Sequence, residues 1–421
     1  MKKFILNLFK ILLILIPLGV LYSYAMFQGG FVSWFLFFGS LPILIYMALL
    51  LIYPMSRLKI ERSIQPVITE AGNSVTVEIK FKRDRFFPLY YCVIEDLLPD
   101  TLDYRDTKRK KFSFLSNPDA LKQKQRVKKV IFPWFKQTFS FTYKINELPR
   151  GEHVFQHIRI STGDFIGIIK KEETYPVETK LLVYPSERKV LLHKQAQSFE
   201  EGASASFNRT VKNTMVVSGV REYMPGDRVS WIDWKASAKK NTMMTKEFDQ
   251  EKSQDMYLMF DGTAHENLNW LAFEGAVEVG VSLIDVLKEE SARLVFSVLG
   301  SDRTTVPINK NQMSKEQVKH HMTTIQPKPA IPFGRLVKQE TGVLPKGYLM
   351  MVITTQLSLE LYDTLLQLRQ KSPRVVLYLI QSDQALTEDE KKWLKYLRSS
   401  DVVVNLLSEG QLMKLTIEVN A

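Results

Sequence analysis

The sequence predicts a multidomain membrane protein: an α-helical transmembrane hairpin, then a β-sandwich-like region, then a doubly wound α/β domain. Three observations carry this prediction. Two long apolar runs, almost free of charge, open the chain. Short alternating segments punctuated by turn residues follow them. From Asp255 onward, apolar strand-like runs alternate with helical periodicity. The expected divisions are residues 1–56, 57–188, a signature segment at 189–252, and 253–421.

The hairpin comes first. Phe4 to Phe27 carries only Lys10 as a charge, and Phe31 to Tyr53 carries none. At about 1.5 Å per residue each run reaches roughly 35 Å, enough for a hydrocarbon core of about 30 Å. Gln28, Gly29 and Gly30 are all that separate them, so the two spans must run antiparallel. Lys2, Lys3 and Lys10 flank the start, Arg57, Lys59 and Arg62 follow the end, and the turn is uncharged. The positive-inside rule then puts both termini and the bulk of the chain in the cytoplasm, beneath a multi-pass anchor in the cell membrane. The stretch Tyr22-Ser23-Tyr24-Ala25 lacks a small-x-small cleavage site, which argues against a removed signal. Pro17 and Pro42 predict kinks. Neither span has a mid-membrane carboxylate suited to transport.

Composition narrows the rest. The formal net charge is +12, which suits an anionic leaflet or a nucleic acid; the apolar spans favour the leaflet. The single cysteine, Cys92, cannot form an internal disulfide and reads as a small buried hydrophobe in a reducing compartment.

From Leu58 to about Ser186 short strands are expected. Val75 to Phe81 alternates strictly after the turn Glu70-Ala71-Gly72-Asn73. Tyr90 to Glu95, Gln137 to Ile145, His153 to Ile160 and Leu181 to Tyr184 complete the set. A basic stretch interrupts them, with Arg105, Lys108, Arg109, Lys110, Lys111, Lys122, Lys124, Arg126, Lys128 and Lys129. Phe112, Phe114, Trp134 and Phe135 lie among or after it. A solvated loop beside an ordinary strand is the first reading of this stretch, the anionic membrane surface the second, and single-stranded nucleic acid a distant third.

In the signature segment, Pro225-Gly226 has the chemistry of a type II turn. Ser230 with Asp233 three residues later has capping-box form and predicts a helix over Trp231 to Ala238, with Thr242 to Phe248 returning as a strand. Arg221-Glu222-Tyr223, Pro225-Gly226-Asp227, Ile232-Asp233-Trp234-Lys235 and Lys246-Glu247-Phe248 stand in order. Together they resemble the signature of a widespread prokaryotic family known as "domain of unknown function" number fifty-eight. Arg150-Gly151, Gly163-Asp164-Phe165-Ile166-Gly167 and Val183-Tyr184-Pro185 are similar to it too, as is the order of hairpin, β region and motif. The resemblance implies a partner, a MoxR-type AAA ATPase, but brings no established activity. A partner-binding face is expected at Arg221, Glu222, Asp227 and Lys235. The alternative is a cryptic metal-dependent hydrolase of nuclease type, using Asp227, Asp233 and Lys235 around Mg²⁺.

In the C-terminal part, strands are expected at Asp255 to Phe260, Arg293 to Leu299, Gly347 to Thr354, Arg374 to Ile380 and Asp401 to Leu406, with Thr304 to Ile308 at an edge. Helices are expected at Leu268 to Glu289, Leu357 to Lys371 and Thr387 to Arg398. This pattern resembles a von Willebrand factor A domain, whose metal motif begins Asp-x-Ser-x-Ser. Here the chain reads Asp261-Gly262-Thr263-Ala264-His265, and Thr355 stands where the later aspartate is expected. Histidine is a poor ligand for Mg²⁺, which wants hard oxygens. Asp261, Thr263 and Thr355 therefore predict a degenerate, metal-free site, in which Asp261 and Thr263 cap the following helix. No Walker A sequence, G-x-S-x-G elbow or G-x-G-x-x-G occurs, and the remaining histidines lack metal-ligand spacing. The expected protein is thus a non-catalytic, membrane-anchored adaptor with no cofactor, acting with a protein partner in assembly or remodelling at the cell envelope.

Overall fold

A computed structural model describes residues 2–193, 215–224, 227–250, 254–308, 312–343 and 347–420. The chain folds as two compact units. One comprises residues 1–108 and 121–184, the other residues 109–120 and 185–421.

The first unit opens with helices Lys2–Gln28 and Phe31–Ile52, both long and apolar enough to cross a membrane. Lys171 donates from Nζ to the carbonyls of Leu50, Leu51 and Tyr53 at 3.1, 2.7 and 2.6 Å. It thereby satisfies orphan acceptors and the negative end of the second helix. Two sheets follow. Strands Lys59–Gln65, Val75–Lys82 and Thr138–Ile145 pair in that order, all antiparallel. The other sheet runs Ile68–Glu70, Lys170–Tyr184, Gly151–Gly163, Cys92–Leu97 and Val127–Ile131. Alternation decides which face is buried: Val75, Val77, Ile79 and Phe81 enter one core with Ile94, Phe155, Ile158 and Ile160. Cys92 lies in that core, and burial pushes its thiol up to about 11. His153 is a neutral core histidine. Burial lowers its pKa; Nε2 donates to the Pro149 carbonyl at 2.9 Å, and Nδ1 lies 2.8 Å from the Thr101 hydroxyl.

One ionic cluster crosses this core. Arg62 Nη2 and Nε donate to the Asp96 carboxylate at 2.6 and 3.2 Å, and both side chains are fully buried. Tyr143 donates its hydroxyl to Asp96 at 2.5 Å, and Arg62 also reaches the carbonyls of Val177 and His157. The Asp96 charge and burial together raise the Tyr143 phenol far above its ordinary pKa, so it stays a donor.

The second unit holds a six-stranded sheet. Numbered in chain order, its strands are Gln254–Asp261, Ser291–Leu299, Thr304–Ile308, Leu349–Thr354, Val375–Ile380 and Val403–Leu407. Their spatial order is 3-2-1-4-5-6, parallel except for the third at the edge. Central strands such as Leu349–Thr354 and Val375–Ile380 are buried at every position, as a sheet covered on both faces requires. Helix Trp270–Glu290 is buried along most of its length. Asn269 caps it by accepting from Leu271 N and Ala272 N at 3.0 and 3.2 Å. Asp261 and Thr263 do not cap this helix, because the turn through His265 to Asn269 separates them from its start. Helices Gln312–Thr324 and Phe333–Val343 were not expected. The first is rich in Lys, Gln and His, and its apolar face reduces to residues such as Val318 and Met322. Gly334 admits the second close to helix Leu359–Lys371: a Cβ there would lie 2.5 Å from Leu361 N.

The basic stretch departs from expectation at one point. Lys108–Phe114 and Pro118–Leu121 are 3₁₀ turns, Val127–Ile131 is a strand, and nine of its ten basic residues are exposed. Lys111 and Phe112 are buried in the second unit, Lys111 paired with Glu278 and Phe112 against Gly275, both on helix Trp270–Glu290. Asn269 Nδ2 donates to the Leu115 carbonyl at 2.6 Å and fixes the same segment. A chain of charges along the sequence hides this, since only one lysine of the run faces inward. Breaking the pair from one side, by Lys111→Met or Glu278→Gln, is predicted to destabilise the protein by about 3–5 kcal/mol, while the double change Lys111→Met, Glu278→Leu recovers most of that loss. Denaturant unfolding of the full chain measures it. Equal losses in the single and double variants would mean that packing, not charge, sets the cost.

Candidate functional site

Two places in the second unit gather polar residues that chain geometry alone leaves unexplained. The first is the crevice at the carboxyl edge of the sheet. Strand order reverses between strands 1 and 4, which is where ligands bind in open α/β sheets. A cavity of about 320 Å³ opens there, lined by His265, Thr355, Gln356, Gln381, Glu390 and Trp393 among others. Burial lowers the His265 pKa, so the ring is neutral near pH 7; its Nε2 lies 3.4 Å from the Thr355 hydroxyl. Glu390 is committed to a capping box with Thr387. His265 Nδ1 and Gln381 Oε1 are buried without partners. The crevice thus has two open hydrogen-bonding positions beside the Glu390 carboxylate.

Behind this crevice sits Asp261, at the end of strand 1. Thr263 N and Oγ1 donate to its Oδ1 at 3.0 and 2.7 Å, and Thr354 Oγ1 donates to Oδ2 at 2.7 Å. Both oxygens are therefore taken. The expected trio of Asp261, Thr263 and Thr355 is split: the neighbour of Asp261 is Thr354, while Thr355 turns toward His265. Among the described residues no group of three or more His, Cys, Asp or Glu is placed to hold a metal ion.

The second place is the signature. Strands Met215–Glu222 and Met244–Gln250 pair antiparallel, with the turn at Pro225-Gly226 outside the described residues. Arg221 donates to both Asp227 oxygens at 2.9 and 2.7 Å, and Met224 N donates to Asp227 at 3.0 Å. The guanidinium holds the Asp227 carboxyl below its usual range. Arg221 also reaches the Glu222 carbonyl at 3.1 Å. The helix is Trp234–Lys240, shorter and later than expected. Ile232 bridges Thr245 in extended backbone, so the helix cannot begin before it. Asp233 rather than Ser230 is the cap, accepting from Lys235 N and Ala236 N at 3.1 and 3.0 Å. Asn241, in the left-handed region at φ 58°, ends it.

Arg221 and Asp227 are thus brought together, while Glu222 and Lys235 stand exposed. Of the residues in the hydrolase alternative, Asp227 is bound by arginine and Asp233 by backbone amides. Sequence reasoning overlooked the apolar members of the same surface. Met224, Val229 and Trp234 are 64%, 68% and 65% exposed. The available signal was an apolar side chain at each charged step of the motif.

Burial pushes the Asp261 carboxyl up to about 6 from its ordinary 3.8, against the pull of the Thr354 and Thr263 hydrogen bonds. The folded state therefore keeps a proton that the unfolded chain releases. This contribution to stability is complete below about pH 4 and is lost as pH rises through about 6. Asp261→Asn is predicted to remove that dependence and to gain on the order of 1–2 kcal/mol at pH 7.5. Denaturant unfolding in detergent at pH 4.5 and 7.5 checks it. A variant weaker than the parent at pH 7.5 would show that the ionised carboxylate is what the fold requires.

With this geometry in place, comparison with known proteins gives a consistent answer. The family model described as "Protein of unknown function DUF58" matches residues 219–406. The chain is 29% identical over 408 residues to the uncharacterised protein YeaD of Bacillus subtilis (strain 168), covering 96% of this chain and 97% of that one. Among solved structures, the PilB minor pilin from Streptococcus sanguinis matches at 8% identity over 77% of this chain and 85% of the pilin, with a TM-score of 0.29. The CARDB domain of a Pyrococcus furiosus protein, solved with di-metal ions, matches at 8% identity over 31% and 97%, with a TM-score of 0.18. Superpositions this loose carry no argument about fold or chemistry. The match across the signature and the α/β sheet, with a bacterial relative aligned almost end to end, supports the resemblance to the DUF58 family.

Proposed function

We propose that this is a membrane-anchored, non-catalytic binding protein whose second unit engages a cytosolic protein partner through the signature surface. The observation that carries the reading is that surface's composition. Trp234, Met224 and Val229 are exposed beside the bidentate Arg221–Asp227 pair, with Glu222 and Lys235 at hand. Exposed tryptophan and methionine, held by a rigid ionic lock and ringed by charge, have the makeup of a protein-binding hot spot. The crevice adds a second polar recognition element on the same unit.

A MoxR-type AAA ATPase is the partner implied by the family resemblance, and the chain's own motifs are compatible with leaving ATP hydrolysis to such a partner. The 3-2-1-4-5-6 strand order with its antiparallel edge supports a von Willebrand factor A-like reading of the α/β unit. Two apolar helices and the basic flanks support a hairpin in the cell membrane with both termini cytoplasmic. Remodelling or assembly at the envelope is the process this arrangement suits.

Photo-crosslinking in cells tests the reading. A photoreactive residue in place of Trp234 or Met224 in the full chain should capture a MoxR-type ATPase at native expression, and one at Tyr396, exposed elsewhere on the unit, should not. Trp234→Ala should weaken the association by about 2 kcal/mol, or roughly thirtyfold. Equal capture from Tyr396, or no ATPase in the Trp234 and Met224 adducts, would sink the proposal.

A further inference from the structure

The first unit carries an exposed apolar surface that neither its own core nor the proposed partner face uses. Phe86, Phe132, Trp134, Phe135, Phe165 and Ile166 are all half or more exposed. They come from three loops, and rings connect them. Phe86 stacks on Phe135 at 5.2 Å, and Tyr90 meets Phe132, Trp134 and Phe165 at 5.9, 5.6 and 5.3 Å.

This surface is preorganised. Arg83, almost wholly buried, donates to the carbonyls of Phe87, Trp134 and Lys136 at 2.8, 3.1 and 2.9 Å, clipping two of the loops together. In the third, Asp164 Oδ1 accepts from Gly167 N and Ile169 N at 2.8 and 3.1 Å, so that Phe165 and Ile166 are held outward. The sequence element Gly163-Asp164-Phe165-Ile166-Gly167, otherwise without a role, is the frame of this loop. Soluble surfaces seldom hold so many large apolar groups rigidly in water.

The position of these loops names the occupant. Tyr46, within the second apolar helix, stacks on Phe165 at 4.9 Å and on Phe87 at 5.8 Å. Tyr46 lies six residues before the end of that helix, so the loop reaches about 9 Å along it. Lys10 Nζ, on the first helix, donates to the Lys170 carbonyl at 2.8 Å. Lys10 is the single charge in the apolar run Phe4 to Phe27, and the helix from it to Gln28 measures about 27 Å, close to one hydrocarbon thickness. The level of Lys10 and Tyr46 is thus the level of the lipid–water boundary. Trp, Tyr and Phe favour that boundary, and Arg85, Lys136 and Lys170 stand exposed around the rings, with Asp84 as the local acid.

We infer that this aromatic collar is a second membrane-contact site, seated in the headgroup region of an anionic bilayer beside the hairpin. The inference rests on the hairpin spanning that bilayer. It assigns the collar to lipid, and not to a protein partner.

Single labels on the full chain test it, because the buried Cys92 thiol does not compete for reagent. An environment-sensitive fluorophore is placed at Phe135→Cys, Ile166→Cys, Leu15→Cys or Glu152→Cys, and the protein is reconstituted into vesicles of phosphatidylethanolamine and phosphatidylglycerol. Glu152 lies near the far end of strand Gly151–Gly163, about 35 Å from the Gly163 loop, and serves as the aqueous reference. Leu15, exposed on the first helix, reports on the hairpin by itself. Labels at 135 and 166 should be blue-shifted, and lipids carrying a quencher near the headgroup should quench them about twofold more than the label at 152. Emission at 135 and 166 matching that at 152 overturns the inference and leaves the collar to a protein partner. The Leu15 label decides the hairpin separately: quenched there with 135 and 166 aqueous, the anchor stands and the collar claim falls.

Discussion

The buried Arg62–Asp96 pair is the constraint on which the first unit depends. Arg62 belongs to the three-stranded sheet and Asp96 to the five-stranded one, so the pair ties the two across their shared core. Two charges out of water are costly unless every donor and acceptor is met. Here Tyr143 and the carbonyls of Val177 and His157 complete the set. A slip of one residue in strand Lys59–Gln65 would turn Arg62 to the other face and leave the Asp96 carboxylate without its cation, with Tyr143 as its remaining donor. The register of that strand, which follows the second apolar helix almost at once, is fixed by this penalty more than by hydrophobic pattern. The loops at the same sheets' edges inherit their positions from it.

A common device recurs elsewhere. Buried or half-buried ions hold short segments rigid, and the segments then display side chains that could not otherwise be kept in water. Arg83 and Asp164 do this for the aromatic loops, the Arg221–Asp227 pair does it for Met224, and the Asp233 cap does it for the helix that opens with Trp234. The crevice works in the opposite sense. Its ionisable groups are neutralised or committed, and what remains open is hydrogen-bonding capacity.

How much of this was legible in the sequence depended on period and length. The apolar helices, the alternating strand at Val75–Lys82 and the buried strands at Leu349–Thr354 and Val375–Ile380 declare themselves, because one face or both must be apolar. Lys170–Tyr184 did not, beyond its last four residues: most of that strand faces solvent and its charges mask the pattern. Nor did the inward turn of Lys111, whose partner Glu278 lies far along the chain and leaves no local trace. At the candidate sites, residue types were readable but pairings were not. Asp261 was grouped with Thr355, whereas the hydroxyl that reaches it from the neighbouring strand is that of Thr354. At the signature Asp233 caps the helix, which starts three residues later than expected.

Residues 109–120 belong to the unit that the chain does not resume until residue 185. On the ribosome this has a consequence of timing. The first unit has all its strands once Tyr184 has emerged, and domains fold as units while synthesis proceeds from the N-terminus. Yet the short segment carrying Lys111 and Phe112 is then still waiting for helix Trp270–Glu290, whose Glu278 and Gly275 receive them. A lysine and a phenylalanine destined for burial must therefore remain in water while many more residues are made. The second unit can close only around a piece of chain older than itself, so neither unit is the product of one uninterrupted stretch of translation.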